Sequence, residues 1–459
     1  MNFLDAKRVH IIGIGGIGTS GVAKILAHRT VRVSGSDASS SLITEELQAR
    51  GIAVTIGHSA DNVALDVDAI MYSSAVPATN PERIVADERG IPSYSYSVAL
   101  GELTKKYTTV AVSGTHGKST TTSMLASIAI AAGLDPLVLV GTRVPNFKDG
   151  NVYLGSGSIF IVEACEHEAQ MMNLSPSAIV ITNLEPDHLD YYGTFERLQE
   201  TFKQYVAKVP ADYCVVNGDD MDVAQLFAAG AAPHTFGFGE HEFRCTARWS
   251  EAGVQYATIA CPDGKSREMK LRIPGAFNVM NALAALSMAT HIGVDVDTAI
   301  SALYEFPGAW RRFERVGKMG EAHVISDYGH HPTAVRETLK AAREFFPDKR
   351  VVLVYQPHQH HRTKALYGDF VDVLAEPDAL ILNEVYHVEG RENAADAVAT
   401  SAGLMTDISA RRGAEKPQWY AQSLGEVSEL IKKHTLPDDV ILVMGAGDIY
   451  KVAHDICST

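Results

Sequence analysis

The residues with the most chemistry in them stand together at Gly114-Thr115-His116-Gly117-Lys118-Ser119-Thr120. A short apolar run, Thr108 to Val112, precedes them, and a helical pattern from Ser123 to Ile130 follows. Strand, glycine loop and helix in that order make a phosphate cradle. Glycines let the backbone turn tightly, so its N–H groups face inward. The first helical turn adds unpaired N–H donors and partial positive charge. Lys118 can then reach the outer phosphates, and the Ser119 hydroxyl can ligate magnesium, which keeps oxygen ligands around it. Val112 stands where the full Gly-x-x-x-x-Gly-Lys-Ser/Thr pattern has its first glycine, and the nearest glycine is Gly114. ATP with Mg2+ is the expected ligand of Gly114, Thr115, Gly117, Lys118, Ser119 and Thr120.

A metal at this loop needs a carboxylate, and two strands can carry one to it. Ile159 to Val162 is apolar and ends at Glu163, with Glu166 three residues on. Ala178 to Asn183 runs into Leu184-Glu185-Pro186-Asp187-His188. Ser119 with Glu163 is the expected magnesium site. A second metal could use Glu163 with His188, although magnesium prefers oxygen to a ring nitrogen.

A second glycine loop lies near the start. Val9 to Ile12 reads as a buried strand, followed by Gly13-Ile14-Gly15-Gly16-Ile17-Gly18 and a helix from Thr19 to about His28. A strand from Val31 then leads to Ser34-Gly35-Ser36-Asp37. This is the dinucleotide fingerprint with its downstream acid, and taken alone it points to NAD. Further strands at Ala53 to Ile56 and Asp68 to Tyr72 describe a shortened doubly wound domain instead. His58, Ser73 and Ser74 fall at strand ends, where open parallel sheets bind ligands.

The elements that position these groups alternate strand and helix throughout, which predicts an α/β fold. The expected division is three domains: a Rossmann-like domain at 1–106, a central ATP-binding domain at 107–312, and a second Rossmann-like domain at 313–459. A length of 459 residues fits two to four domains. In the last, strands at Val324 to Ser326, Val351 to Tyr355, Ala379 to Leu382 and Val440 to Met444 are separated by helices at Pro332 to Phe346 and Leu366 to Leu374, with a break at Val388 to Glu392. Net charge is −15, which argues against nucleic acid and against an anionic membrane surface. The N-terminus lacks the apolar core of a signal peptide. Five cysteines lie far apart with no Cys-x-x-Cys pair, which points to reduced thiols and a cytoplasmic protein. Lys203, on an expected helix from Phe195 to Ala207, reads as a solvated lysine.

Taken together, Gly-Thr-His-Gly-Lys-Ser-Thr-Thr-Thr, the Glu163-Ala164-Cys165-Glu166 run and Thr182-Asn183-Leu184-Glu185-Pro186-Asp187-His188-Leu189-Asp190 resemble the Mur ligase superfamily. Gly13 to Gly18 with Ser34 to Asp37 is similar to the UDP-binding domain of the branch that attaches a single L-alanine to UDP-N-acetylmuramate. Pro274 to Ala282, Arg311-Arg312-Phe313-Glu314, Asp327 to Pro332, Tyr355 to His358 with Arg362-Thr363, and Met444 to Ile449 extend the resemblance over nearly the whole chain. Two departures stand out: Cys165-Glu166-His167-Glu168 where the family has Asp-Glu-Ser-Asp, and Phe277 where it has histidine.

The resemblance implies roles. Asn278 and Asn281 would face the adenine, Asp327 the ribose and Arg312 the transferred phosphate, with His116 near the reacting carboxylate. Gly15, Gly16, Ile17, Gly18, Asp37, His58, Ser73 and Ser74 would bind the UDP-sugar. The His358-Gln359-His360-His361 cluster reads as a polar loop, because adjacent histidines do not share a face; His358 and Arg362 would meet the acceptor or a phosphate, and Glu384 the acceptor's amino group. Lys118, His116, His188, Arg312 and His331 are the expected catalytic groups, with the general base open among His188, His330 and His331. The implied reaction is phosphorylation of the lactyl carboxylate by ATP, then attack of the alanine amine on the acyl phosphate. The implied partners are small molecules, in a monomer or weak homodimer. A ligase for a recycled tripeptide, an NAD-dependent dehydrogenase and a nucleotide switch or transport ATPase remain the alternatives.

Overall fold

The computed structural model describes residues 3–387, 399–413 and 416–457. It is an α/β protein with three sheets. The chain divides into two compact units. The first comprises Met1–Thr246, Ile259–Arg267 and Met280–Phe306; the second comprises Ala247–Thr258, Glu268–Val279 and Pro307–Thr459.

The first sheet holds β1 (Arg8–Ile12), β2 (Arg32–Asp37), β3 (Ala53–Ile56), β4 (Ala69–Tyr72) and β5 (Ser93–Ser95) in the order β3-β2-β1-β4-β5. All pairings are parallel. Val9, Ile11 and Ile12 are buried, the continuous apolar run expected of a strand covered on both faces. Around the sheet lie α1 (Ile17–His28), α2 (Leu42–Ala49), α3 (Pro81–Glu88) and α4 (Tyr96–Thr104). Their starts are written locally. Ser41 and Thr44 form a reciprocal capping box on α2, and Asn80 caps α3 with Pro81 in its first turn.

The second sheet is built on β6 (Thr108–Ser113), which leads to α5 (Lys118–Ala131), then β7 (Leu137–Leu139), β8 (Val152–Leu154), β9 (Ile159–Glu163), β10 (Ala178–Ile181), β11 (Cys214–Asn217), β12 (His234–Gly237), β13 (Phe243–Glu251), β14 (Val254–Ala260) and β15 (Ser266–Leu271). The order is β15-β14-β13-β12-β11-β10-β6-β9-β7-β8. β6 is flanked by β10 and β9 in parallel, with Ser113 opposite Ile181 and Val112 opposite Glu163. The carboxyl ends of these three buried strands therefore meet at the loop after β6.

The third sheet holds β16 (Glu314–Met319), β17 (Ala322–Asp327), β18 (Val351–Tyr355), β19 (Ala379–Asn383), β20 (Gln418–Ala421) and β21 (Val440–Met444), in the order β16-β17-β21-β18-β19-β20. Only the β16–β17 pair is antiparallel. Strand ends fall within a residue or two of expectation. The loop expected at His360 and His361 is instead the start of a short helix, His360–Ala365. The break expected at Val388 to Glu392 lies outside the described residues. No helix among the described residues is long and apolar enough to cross a membrane.

Candidate active site

In the first unit the loop between β6 and α5 is shaped by its two inward glycines. Gly114 has φ +127° and Gly117, the N-cap of α5, has φ +82°. A Cβ at Gly114 would lie 2.2 Å from Thr182 Oγ1, and one at Gly117 would lie 2.3 Å from Asn281 Oδ1. Both positions demand glycine for space as well as conformation. The end of β10 braces the loop. Asn183 Oδ1 accepts from the His116 N–H at 2.8 Å, Asn183 O accepts from the Thr115 N–H at 3.0 Å, and the Thr182 hydroxyl donates to His116 O at 2.6 Å.

Lys118 Nζ donates to Gly114 O at 2.6 Å, to Thr115 O at 3.0 Å and to Glu166 Oε1 at 2.8 Å. Burial works to lower the pKa of this ammonium, but the Glu166 carboxylate beside it carries it above the usual lysine value. Glu166 is 1% exposed, and its Oε2 has no hydrogen-bond partner. The carboxylate on Lys118 is thus Glu166, while Glu163 accepts the Gly141 N–H at 2.8 Å. His188, with φ +53°, brings its Nε2 to 3.8 Å from Glu166 Oε1. Ser119 and Thr120 are buried in the first turn of α5. His116 Nε2 lies 3.5 Å from Glu185 Oε2. Asn281 is buried and accepts from the Thr121 hydroxyl at 3.2 Å. Lys203 is exposed on its helix, as expected.

The other glycine loop of this unit closes on its own acid. Asp37 Oδ2 accepts the Gly15 N–H at 2.8 Å. Gly13 has φ +76°, and a Cβ there would lie 3.0 Å from Ser73 Cβ. Gly15, Gly16, Ile17, Gly18, Asp37 and Ser73 therefore share the carboxyl edge of β1, β2 and β4, whereas Ser74 is exposed beside it. His58 rests on a buried network: its Nδ1 lies 3.1 Å from Ser36 Oγ and 3.3 Å from Glu82 Oε1.

In the second unit, Asp327 is spoken for by backbone, accepting the Phe313 N–H at 2.8 Å and the Gly329 N–H at 2.7 Å. Arg312 lies over the Tyr328 ring, 5.0 Å from its centroid. Its neighbour Arg311 is buried with φ +57° and donates to Gly445 O and to Gly447 O, the latter at 3.0 Å. His331 caps the helix Pro332–Phe345, its Nδ1 accepting the Thr333 N–H at 3.3 Å. Asn278 is buried and donates to Pro274 O at 2.7 Å. Arg362 Nη1 lies 3.3 Å from His358 Nδ1, and the His358 ring stacks on Tyr386 at 5.7 Å. Glu384 accepts the Tyr420 hydroxyl and the Val385 N–H.

Three family models match in order along the chain: Mur ligase family, catalytic domain at residues 8–108; Mur ligase middle domain at 112–289; and Mur ligase, glutamate ligase domain at 311–447. Among curated relatives, the UDP-N-acetylmuramate–L-alanine ligase of Clostridium novyi is 38% identical over 459 residues, covering 98% of each chain. That of Burkholderia ambifaria is 37% identical over 452 residues, covering 96% of each. The crystal structure of the UDP-N-acetylmuramate–alanine ligase of Thermotoga maritima superposes with a TM-score of 0.85 at 28% identity, over 98% of each chain.

The chain belongs to the Mur ligase family.

In this Mur ligase, sequence reasoning located both glycine loops and the strand ends around them. It did not assign Glu166 to Lys118, and the one available signal was its place three residues after the strand-end acid. Asn183 and Arg311 stand inside the quoted motifs but without a role of their own, and Glu82 carries no local pattern that marks it. Asp327 and His331, read as ligand and catalytic groups, have backbone partners of their own here, which hold the turn after β17 and the helix that follows.

Proposed function

We propose that this Mur ligase joins L-alanine to the lactyl carboxylate of UDP-N-acetylmuramate, with ATP passing its terminal phosphoryl group to that carboxylate and the amine then displacing it as phosphate, in peptidoglycan precursor synthesis. The observation that carries this is end-to-end similarity, at 34–38% identity, to curated relatives that bear that activity in their names. The phosphate loop supports it, since its glycines, its Lys118 and the first turn of α5 suit a triphosphate.

The lactyl carboxylate is a poor electrophile until phosphorylation gives it a phosphate leaving group. The protein's work is to hold the reactants in line and offset developing charge, with Lys118 on the transferred phosphoryl oxygens. Oxygen donors suit magnesium: Ser119 is in the first turn of α5, and Glu163 pairs in register with Val112 at the loop's start. Ser119 and Glu163 would hold the ion, with His188 a ligand to a second. Bound there, magnesium neutralises phosphate charge. Arg312, His116 and His331 complete the proposed catalytic set, with Asn278, Asn281 and Asp327 at the nucleotide and His358 and Arg362 at the acceptor. The three-domain division at residues 106 and 312, a cytoplasmic location and a monomer or weak homodimer belong to the same reading.

The test is phosphate release from ATP with and without UDP-N-acetylmuramate, across L-alanine, glycine, L-serine and a tripeptide acceptor. Release that needs both the sugar nucleotide and L-alanine is expected. Release with the tripeptide but not with L-alanine would assign the recycling reaction instead.

A further inference from the structure

Tyr96, the first residue of α4, packs against the first glycine loop of the first unit. Beside it is Gly18 in the first turn of α1: a Cβ there would sit 2.5 Å from Tyr96 Cζ and 2.7 Å from its hydroxyl oxygen. Burial is the main cause raising the phenol's pKa, and the charges of Cys165 and Glu163 add to it. The phenol therefore stays protonated, a donor at neutral pH.

The ring's place is fixed from behind. Ser95 caps α4 by accepting the Val98 N–H at 3.4 Å. Asn173 Nδ2 donates to Ser97 Oγ at 3.0 Å, and a Cβ at Gly101 would lie 2.2 Å from Asn173 O. So α4 is seated on the segment that follows Glu166, and Tyr96 packs against the first unit's core as a half-buried residue. Among the described residues, no group pairs with its hydroxyl.

These contacts give Gly18 a purpose beyond tight turning. Its bare Cα is what lets the phenol approach the start of α1, where backbone N–H groups and the helix dipole favour an anion.

We propose that Tyr96 is a substrate-binding residue whose hydroxyl, beside Gly18, donates a hydrogen bond to a diphosphate oxygen of the sugar nucleotide. This rests on the UDP-N-acetylmuramate reading. The contact is charge-assisted, the stronger class of hydrogen bond.

The experiment compares the wild type with Tyr96→Phe by calorimetric titration with UDP and with UDP-N-acetylmuramate, and by steady-state kinetics. Tyr96→Phe keeps the ring and loses only the donor. The expected result is about tenfold weaker binding of both UDP and the sugar nucleotide, with KM for ATP and for alanine unchanged. Gly18→Ala, which forces the ring aside, should show the same loss. Unchanged affinity for UDP in Tyr96→Phe overturns the proposal, as does an equal rise in all three KM values, which would mean general damage. Wild-type protein that binds no UDP-N-acetylmuramate overturns the ligase reading itself, and that outcome is read from the wild-type titration alone.

Discussion

Replacing Glu82 with glutamine tests the physical account of the polar network at the first sheet. The Glu82 carboxylate is fully buried. It lies 3.0 Å from His10 Nε2 and accepts the Ser36 hydroxyl at 2.6 Å, the Asn62 amide at 2.7 Å and the Ser59 N–H at 3.2 Å. Burial alone would raise its pKa, but the bonds from His10, Ser36 and Asn62 outweigh burial and bring it from 4.5 down to about 2. A carboxyl depressed on folding stabilises the fold above its unfolded pKa, and that contribution is lost as pH falls through its folded pKa. A gap of about 2.5 units at ~1.4 kcal/mol per unit is worth about 3 kcal/mol at pH 7 and less than half of that at pH 3. Glu82→Gln should therefore be destabilised by about 2–3 kcal/mol at pH 7, with the deficit shrinking steadily between pH 4.5 and pH 2. The three tryptophans, Trp249, Trp310 and Trp419, all fall in the second unit, so none belongs to the unit that carries Glu82. Native-state amide exchange at β1 and β2 reads it directly. A deficit below about 0.5 kcal/mol at pH 7, or one that stays constant down to pH 3, would refute the reasoning.

Three further outcomes follow from the proposed phosphate and magnesium site. Lys118→Ala should lower kcat for phosphate release on the order of 10²–10³-fold, since a preorganised charge is removed from the transferred group; undiminished amide synthesis would sink the assignment. Gly117→Ala puts a methyl 2.3 Å from Asn281 Oδ1 at a φ of +82°, and should cost about 1–3 kcal/mol in thermal unfolding as well as weakening ATP binding. Glu163→Gln should raise the magnesium concentration needed for half-maximal activity by about tenfold or more, read from a magnesium titration at fixed ATP.

Glycine and apolar runs made most of the fold legible. The strand–loop–helix units at β1 and β6 are written within about 20 contiguous residues; the structure matches the first to within two residues, whereas α5 begins at Lys118, five residues before the helical pattern expected from Ser123. Long-range polar pairing was not legible. Glu82 sits on a helix whose spacing allows a solvated face, and its partner His10 is 72 residues earlier in an apolar strand. Which of Glu163 and Glu166 meets Lys118 depends on the path after β9, where Glu168 and Ala169 take left-handed conformations that no residue there announces. Arg311 and Arg312 are neighbours of one type. Only the path of the backbone, with φ +57° at Arg311, sends the first inward to the carbonyls of Gly445 and Gly447. The strands β12 to β15 escaped sequence reading as well, and β14 there alternates residue by residue, with only Gln255, Ala257 and Ile259 turned inward.

The three acceptors around Lys118 Nζ bear on which anions the loop can hold. Any incoming phosphate must draw the ammonium away from two peptide carbonyls and a carboxylate already in contact with it. A lone inorganic phosphate offers little to offset that exchange, whereas a nucleotide triphosphate adds contacts along its whole length. On the proposed reading, a lysine already engaged would act as a threshold, favouring the longer ligand at a point where charge alone would not.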